Sequence, residues 1–254
     1  SVNDPNVEAR TLYVEQSRFV ERVQEVAEEP LVIWDVGLGA ATNAMAILST
    51  YEALNDESLR AVELVSFEND LNSLRLALRH PNLFVHLRHA APVALCEKGL
   101  WESKNGKFRW SLLGGDFRER LASSPVPDLI YFDPFSSKTN TSEWSPETFH
   151  QIFEHCRHHA TALFTYSFST AVRAALLSAG FFVAKGVASG PVSETTVALT
   201  PRALRDPSFS YPMLSKTWLE RWERSQSKFP TSLVADDYPH FEKTIRSHEQ
   251  FERV

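Results

Sequence analysis

The chain has 254 residues, 43% of them hydrophobic and 23% charged, which excludes collagen-like, coiled-coil and wholly disordered classes. At this length roughly 70% of the unfolded surface can be buried without a disulfide or metal staple, and the two cysteines, Cys96 and Cys156, lie far apart with no CxxC, which argues against a zinc site or a disulfide framework. A net charge of −6 with a pI near 5.9 excludes a strong, uniform nucleic-acid binder, so an RNA partner would have to be met by a local patch.

No apolar run reaches the ~20 residues of a membrane span, and Ser1-Val2-Asn3-Asp4 does not read as a signal peptide. The expected compartment is a reducing cytoplasm, with no membrane contact and no metal. Residues 7–28 are a mixed charged and apolar stretch, with 21–29 as a solvated helix face, so 1–30 reads as an N-terminal segment ahead of the main domain.

From residue 31 short apolar runs alternate with helical patterns, the signature of an α/β fold with a mostly parallel sheet. A strand is expected at 31–36, after Pro30 and before Gly37-Leu38-Gly39, then a helix at 40–54. A second strand at 62–67 ends in Glu68. Leu71, Leu74 and Leu78 predict a helix over 70–79, stopped by Pro81. Residues 82–107 carry no clear element. A third strand at 108–113 leads to Gly114-Gly115-Asp116, and a fourth at 128–133 ends at Pro134. Phe149, Ile152, Phe153 and Cys156 form one stripe of a helix at 146–159. A strand at 162–166 and a helix at 169–179 follow, then 181–188 and 192–199 as an antiparallel closing pair joined near Gly190-Pro191. This bounds a domain at 31–200. From Pro201 a proline-punctuated tail, 201–254, is expected to wrap the core around Trp218 and Trp222.

Asp35-Val36-Gly37-Leu38-Gly39-Ala40 sits at a strand-to-helix turn, where glycines let backbone N–H groups approach a ligand. A dinucleotide fingerprint would need a third glycine at position 42, which is Thr42, and this weakens a nicotinamide-cofactor reading. Glu68, at the next strand end, could accept hydrogen bonds from two ribose hydroxyls; its alternative is a charge at a helix start. Asp116 could accept from an adenine amino group, or equally cap the helix at 117–122. Three strand-end acids with a glycine turn, in this order, fit the adenosine of S-adenosyl-L-methionine, a phosphate-free cofactor that needs acceptors and no basic loop. Asp133-Pro134-Phe135 ends the fourth strand at the lip of the same crevice. An amine must be neutral to take a methyl group, and Asp133 could accept its proton or orient the nitrogen. Phe135, Trp144 and Tyr166 could pack against a base or a sulfonium; for any one of them, core packing is the alternative. His155, Arg157, His158 and His159 read as a solvated helix end rather than a metal site.

The run 32–44 resembles the cofactor-binding segment of the tRNA 5-methylaminomethyl-2-thiouridine methyltransferase family, the methyltransferase half of a bifunctional wobble-uridine modification enzyme. Val65 to Asp70, Gly114-Gly115-Asp116, and Asp128 to Phe135 with Lys138, Asn140 and Trp144 are similar to its later motifs. Phe164 to Ser167 and Val7 to Arg10 match as well. Pro134 and Ser136-Ser137 stand where that family usually has glycine and Ala-Pro. The resemblance implies a Rossmann-like class I methyltransferase fold, with a mostly parallel seven-stranded sheet, helices on both faces and an antiparallel last strand. It implies S-adenosyl-L-methionine held by Asp35, Gly37, Gly39, Asn43, Glu68, Asp116 and Asp133, and Asp133 as the catalytic group. Pro134, Phe135, Lys138, Trp144 and Tyr166 would meet the substrate, an aminomethyl group on a wobble uridine in the tRNA anticodon loop. A separate flavin-dependent oxidase would act on the same tRNA. Two other readings stay open on the residues alone: a methyltransferase of a small-molecule or protein amine, and a non-catalytic binding module whose crevice is filled by side chains.

Overall fold

The computed structural model of the chain describes residues 4–135, 141–188 and 193–252. In chain order, α1 (Pro5–Ala9), a π-helical turn (Arg10–Glu15) and α2 (Phe19–Gln24) precede β1 (Leu31–Val36), α3 (Thr42–Leu54), β2 (Val62–Glu68), α4 (Asn72–Leu78), α5 (Ala90–Lys98), β3 (Leu100–Glu102) and β4 (Phe108–Gly114). Then come α6 (Phe117–Arg120), β5 (Leu129–Phe132), α7 (Pro146–Cys156), β6 (Ala162–Thr165), α8 (Thr170–Ala179), β7 (Phe182–Gly186) and β8 (Thr195–Leu199). The helices α9 (Lys216–Arg224), α10 (Tyr238–Arg246) and α11 (Glu249–Glu252) close the chain.

The strands form one sheet in the order β3-β4-β2-β1-β5-β6-β8-β7. β4, β2, β1, β5 and β6 run parallel, and β8 pairs antiparallel with both β6 and β7. The central strands are buried on both faces, as β1 and β5 show, so their sequences read as unbroken apolar runs. The expected seven strands are present, and β3 is an eighth. It falls within 82–107, pairs antiparallel with β4 and is three residues long. A strand so short has no pattern of its own; the turn at 103–106, with Gly106 at φ +69, folds it onto β4. The α5 helix, also unforeseen, starts where the His89 ring accepts from the Ala91 N–H at 3.1 Å and stops at Gly99.

One face of the sheet is covered by the N-terminal helices with α3, α4 and α5. The other is covered by α6, α7 and α8, with the tail helices packed outside them. Ser145 caps α7 by accepting from the Thr148 N–H, and Phe149, Ile152 and Cys156 are buried as their spacing implies, with the helix ending at Cys156.

The tail is bonded to the sheet. β7 would be an open edge, but Lys185 and Leu214 donate across it to Pro212 and Val183 carbonyls at 2.8 and 2.9 Å. The Gln250 amide accepts from the Val183 N–H and donates to the carbonyls of Val183 and Leu214. An edge covered in this way cannot template pairing with another chain. Trp222 is fully buried among α8 and the tail helices. Trp222→Ala should cost about 3–5 kcal/mol in chemical denaturation, the range for truncating a buried aromatic; a loss under about 1 kcal/mol would show that the tail does not share the core.

Candidate active site

β1 and β5 are neighbours at the centre of the sheet, and the chain leaves them toward opposite sides. That divergence opens a crevice at the carboxyl ends of the strands. Its floor is the Gly37 bend. Gly37 has φ +90, and a Cβ there would lie 2.6 Å from the Asp133 carbonyl oxygen and 2.7 Å from Pro134 Cα. The Gly37 N–H donates to the Phe67 carbonyl at 3.1 Å, and the Asp133 N–H to the Val36 carbonyl at 2.9 Å. Only glycine permits both the conformation and the approach. Gly39, at φ +52, turns the chain into α3 and donates its N–H to Glu68 Oε2 at 3.0 Å.

Two cavities meet at this bend, both bordered by Gly37, Gly39, Asp133 and Tyr166. One, of about 270 Å³, is walled by Phe67, Glu68, Gly115 and Phe117 and reaches out to Pro134 and Phe135. The other, of about 380 Å³, lies against the N-terminal segment and is walled by Glu8, Tyr13, Thr42 and Asn43. Glu68 is held by three backbone N–H groups: Gly39 on one oxygen, Asn69 and Asp70 on the other at 2.9 and 3.0 Å. A carboxylate has about four acceptor positions, so this clamp orients Glu68 and leaves capacity for a hydroxyl in the cavity. Phe67 and Phe117, edge to face at 4.9 Å, give the apolar wall a purine needs. These features fit adenosine in the first cavity.

Asp133 stands between the cavities. Burial pushes its carboxyl up to about 7, although the Asn43 amide, donating to Oδ2 at 2.7 Å, pulls the other way. Tyr166 borders both cavities, and burial and then the Asp133 charge push its phenol up to about 12.

Other expected site residues sit differently. Asp35 borders neither cavity. It is buried between β1 and β2, where Ser66 Oγ donates to Oδ2 at 2.7 Å and itself accepts from Trp110 Nε1; its expected cofactor contact gives way to a role inside the sheet. The Asp116 side chain accepts from the Arg118 N–H at 2.9 Å and pairs with its guanidinium, which holds the carboxyl below its usual range. Here the capping alternative describes the residue, and its backbone neighbours Gly115 and Phe117 border the cavity instead. Trp144 is buried: its Nε1 donates to the Phe135 carbonyl at 2.9 Å and its ring stands edge-on to Phe132 and Tyr166. It braces the loop that presents Phe135, which is 66% exposed. Lys138 and Asn140 lie outside the described residues. Sequence reasoning missed Tyr13, Phe67 and Phe117. The Leu12-Tyr13-Val14 triplet inside a charged stretch was the available signal for the first; the others read as plain strand and helix residues. Among the described residues, no group of three or more His, Cys, Asp or Glu could hold a metal, and no helix is long and apolar enough to cross a membrane.

Residues 84–201 match a family model described as S-adenosyl-L-methionine-dependent methyltransferase. The chain is similar to the tRNA 5-methylaminomethyl-2-thiouridine biosynthesis bifunctional protein MnmC of Aeromonas hydrophila, 29% identical over 194 residues, covering 70% of this chain and 29% of that protein. It is 32% identical over 199 residues to the protein of the same name from Ralstonia nicotianae, covering 74% of this chain and again 29% of the relative. The chain therefore spans under a third of the length of these curated relatives. Among solved structures, MNMC2 from Aquifex aeolicus superposes with a TM-score of 0.64 at 22% identity, over 97% of this chain and 75% of that one, a likeness of fold.

Fold, cleft and family match define a class I S-adenosyl-L-methionine-dependent methyltransferase, an enzyme with that cofactor. Within the class, the curated proteins it is similar to are the MnmC proteins of these two organisms, over 70% and 74% of this chain.

One pH dependence follows from the buried acid of the sheet. Burial raises Asp35 from 3.8 to about 7, so the folded state binds its proton more tightly than the unfolded chain. The associated stability is full below about pH 4 and is lost as pH rises toward 7. Asp35→Asn should therefore remove part of the fall in Tm between about pH 5 and 7.5, measured by calorimetry; an unchanged slope would show that Asp35 does not titrate there.

Proposed function

We propose that the enzyme methylates the nitrogen of an aminomethyl group on a modified wobble uridine of tRNA. The observation that carries this reading is the position of Asp133, a carboxyl near pH 7 at the junction of two cavities. A free alkylamine is mostly protonated at neutral pH and has no lone pair to donate. A base whose own pKa lies near the working pH is best placed to take that proton. Asn43 holds the carboxylate in place, and backbone carbonyls at Asp133 and Pro134, residues that border the first cavity, can accept a remaining N–H.

When bound, S-adenosyl-L-methionine supplies an electrophilic methyl carbon whose sulfur leaves as a neutral thioether. Gly37, Gly39, Glu68 and the Phe67–Phe117 wall would hold it. The protein aligns the amine and excludes water, which is most of what a displacement at carbon asks of it. Phe135 and Phe168, 66% and 52% exposed, are suited to stack unpaired bases, which single-stranded loops present without the melting of a duplex. The name of the MnmC relatives supports a tRNA substrate, and the setting of tRNA-modifying enzymes supports a cytoplasmic location. The rest of the relatives' length leaves room for their second function, for which the resemblance suggests a flavin-dependent oxidase acting on the same tRNA.

The test is methyl transfer to tRNA from cells that lack the gene, followed by nucleoside digestion and mass spectrometry. The wild type should convert the aminomethyl nucleoside to its methylated form. Asp133→Asn should lower kcat by about 10²–10⁴-fold, the contribution of a positioned base. Transfer to small amines but not to tRNA would refute the substrate, and full activity of Asp133→Asn across pH would refute the base.

A further inference from the structure

Tyr13 is 1% exposed, and its hydroxyl closes no hydrogen bond of good geometry with the described residues, although it lies near enough to the Asp133 carboxyl to act on it as a donor. A buried, unpaired phenol is costly enough that it calls for an explanation. The ring is held firmly. It packs on Tyr131 at 5.1 Å, and Ser17 Oγ donates to the Tyr13 carbonyl while bonding to the Tyr131 hydroxyl at 3.0 Å. Tyr13 lies in the π-helical turn, closed by the Gln16 N–H donating to the Thr11 carbonyl five residues back. This wider turn buries the consecutive residues Leu12, Tyr13 and Val14, and such turns recur at functional sites. It sets Tyr13 in the wall of the second cavity, which Asp133 and Asn43 also border.

We propose that Tyr13 is a positioning residue for Asp133: its hydroxyl donates to the Asp133 carboxylate and, with Asn43, fixes that carboxylate toward the incoming amine. The inference rests on Asp133 as the base of the proposed reaction. Asn43 occupies Oδ2, and a phenol on the other oxygen would fix the rotamer from two sides. Burial, and next the Asp133 charge, keep the Tyr13 phenol protonated well beyond its ordinary range, so toward an ionised carboxylate, which only accepts, it is the donor. The charges of Tyr166, Asp35 and Glu8 also act on this phenol, each in the raising direction. Glu8 raises Asp133 while Tyr13 and Asn43 lower it. A donor to the ionised form lowers an acid's pKa, so Tyr13 offsets part of the effect of burial and keeps the base usable at neutral pH.

The test follows the Asp133 carboxyl itself, by carbon-13 NMR of protein labelled at aspartate carboxyls, with Asp133→Asn assigning the signal. Tyr13→Phe should raise the Asp133 midpoint by about one pH unit, the scale of one hydrogen bond to a charged group. The kcat for methyl transfer should fall about fivefold at pH 7 and recover at higher pH, as the ionised fraction does when a midpoint near 7 rises by one unit; a merely structural defect would depress it at every pH. Should Tyr13→Phe fail to fold, 3-fluorotyrosine at position 13, a stronger donor of nearly the same shape, should lower the midpoint. An unmoved midpoint in either protein overturns the proposal. The titration needs no substrate, so failure of tRNA methylation would count against the function and leave this result standing.

Discussion

At Gly37 the carboxyl end of β1 presses against the end of β5 so closely that a Cβ would stand 2.6 Å from a carbonyl oxygen. That backbone-on-backbone contact is what places the glycine turn, Asp133 and Pro134 around one cleft. The parallel register of β1 with β2 and β5 brings the strand ends level, with Val36 opposite both Phe67 and Phe132. The Gly39 N–H then reaches across to Glu68, so the residue that orients the Glu68 carboxylate belongs to the same bend that approaches Asp133. A side chain at position 37 would have to push these elements apart.

The acids around the cleft are sorted by what surrounds them. Glu68 is clamped by three backbone donors and borders the first cavity. Asp116 is spent on a helix start and on Arg118. Asp35 and Asp133 are both pushed up to about 7 by burial, yet only Asp133 borders the cavities. Asp35 is bonded to Ser66 inside the sheet, where it has no access to a substrate. Two carboxyls with like titration thus differ in access to the cleft through the direction of their side chains, and a shifted pKa alone would not tell them apart.

The order of elements, the parallel core and the antiparallel closing pair were legible because buried strands carry long apolar runs and helices carry a stripe such as Phe149, Ile152 and Cys156. The strand β3 was not, because three residues have no periodicity and take their structure from β4. At the site, Gly37, Glu68 and Asp133 could be picked out because a strand end followed by glycine or an acid leaves a local mark. Asp35 and Asp116 carry the same mark, and only the direction of the side chain separates them. Tyr13 lies some 120 residues from Asp133 in sequence, so their proximity is a product of tertiary folding. The tail's attachment through Gln250 is invisible for the same reason: a single amide among polar residues gives no pattern, although it bonds β7 at two backbone groups.

Calorimetric titration of S-adenosyl-L-methionine into the wild type and into Gly37→Ala, each confirmed as folded by circular dichroism, addresses the bend most directly. Saturable binding by the wild type and none by the folded variant is the expected pair of results. Equal affinity in the two proteins, or a flat titration of the wild type, would contradict a cofactor cleft built on the contact between Gly37 and Asp133.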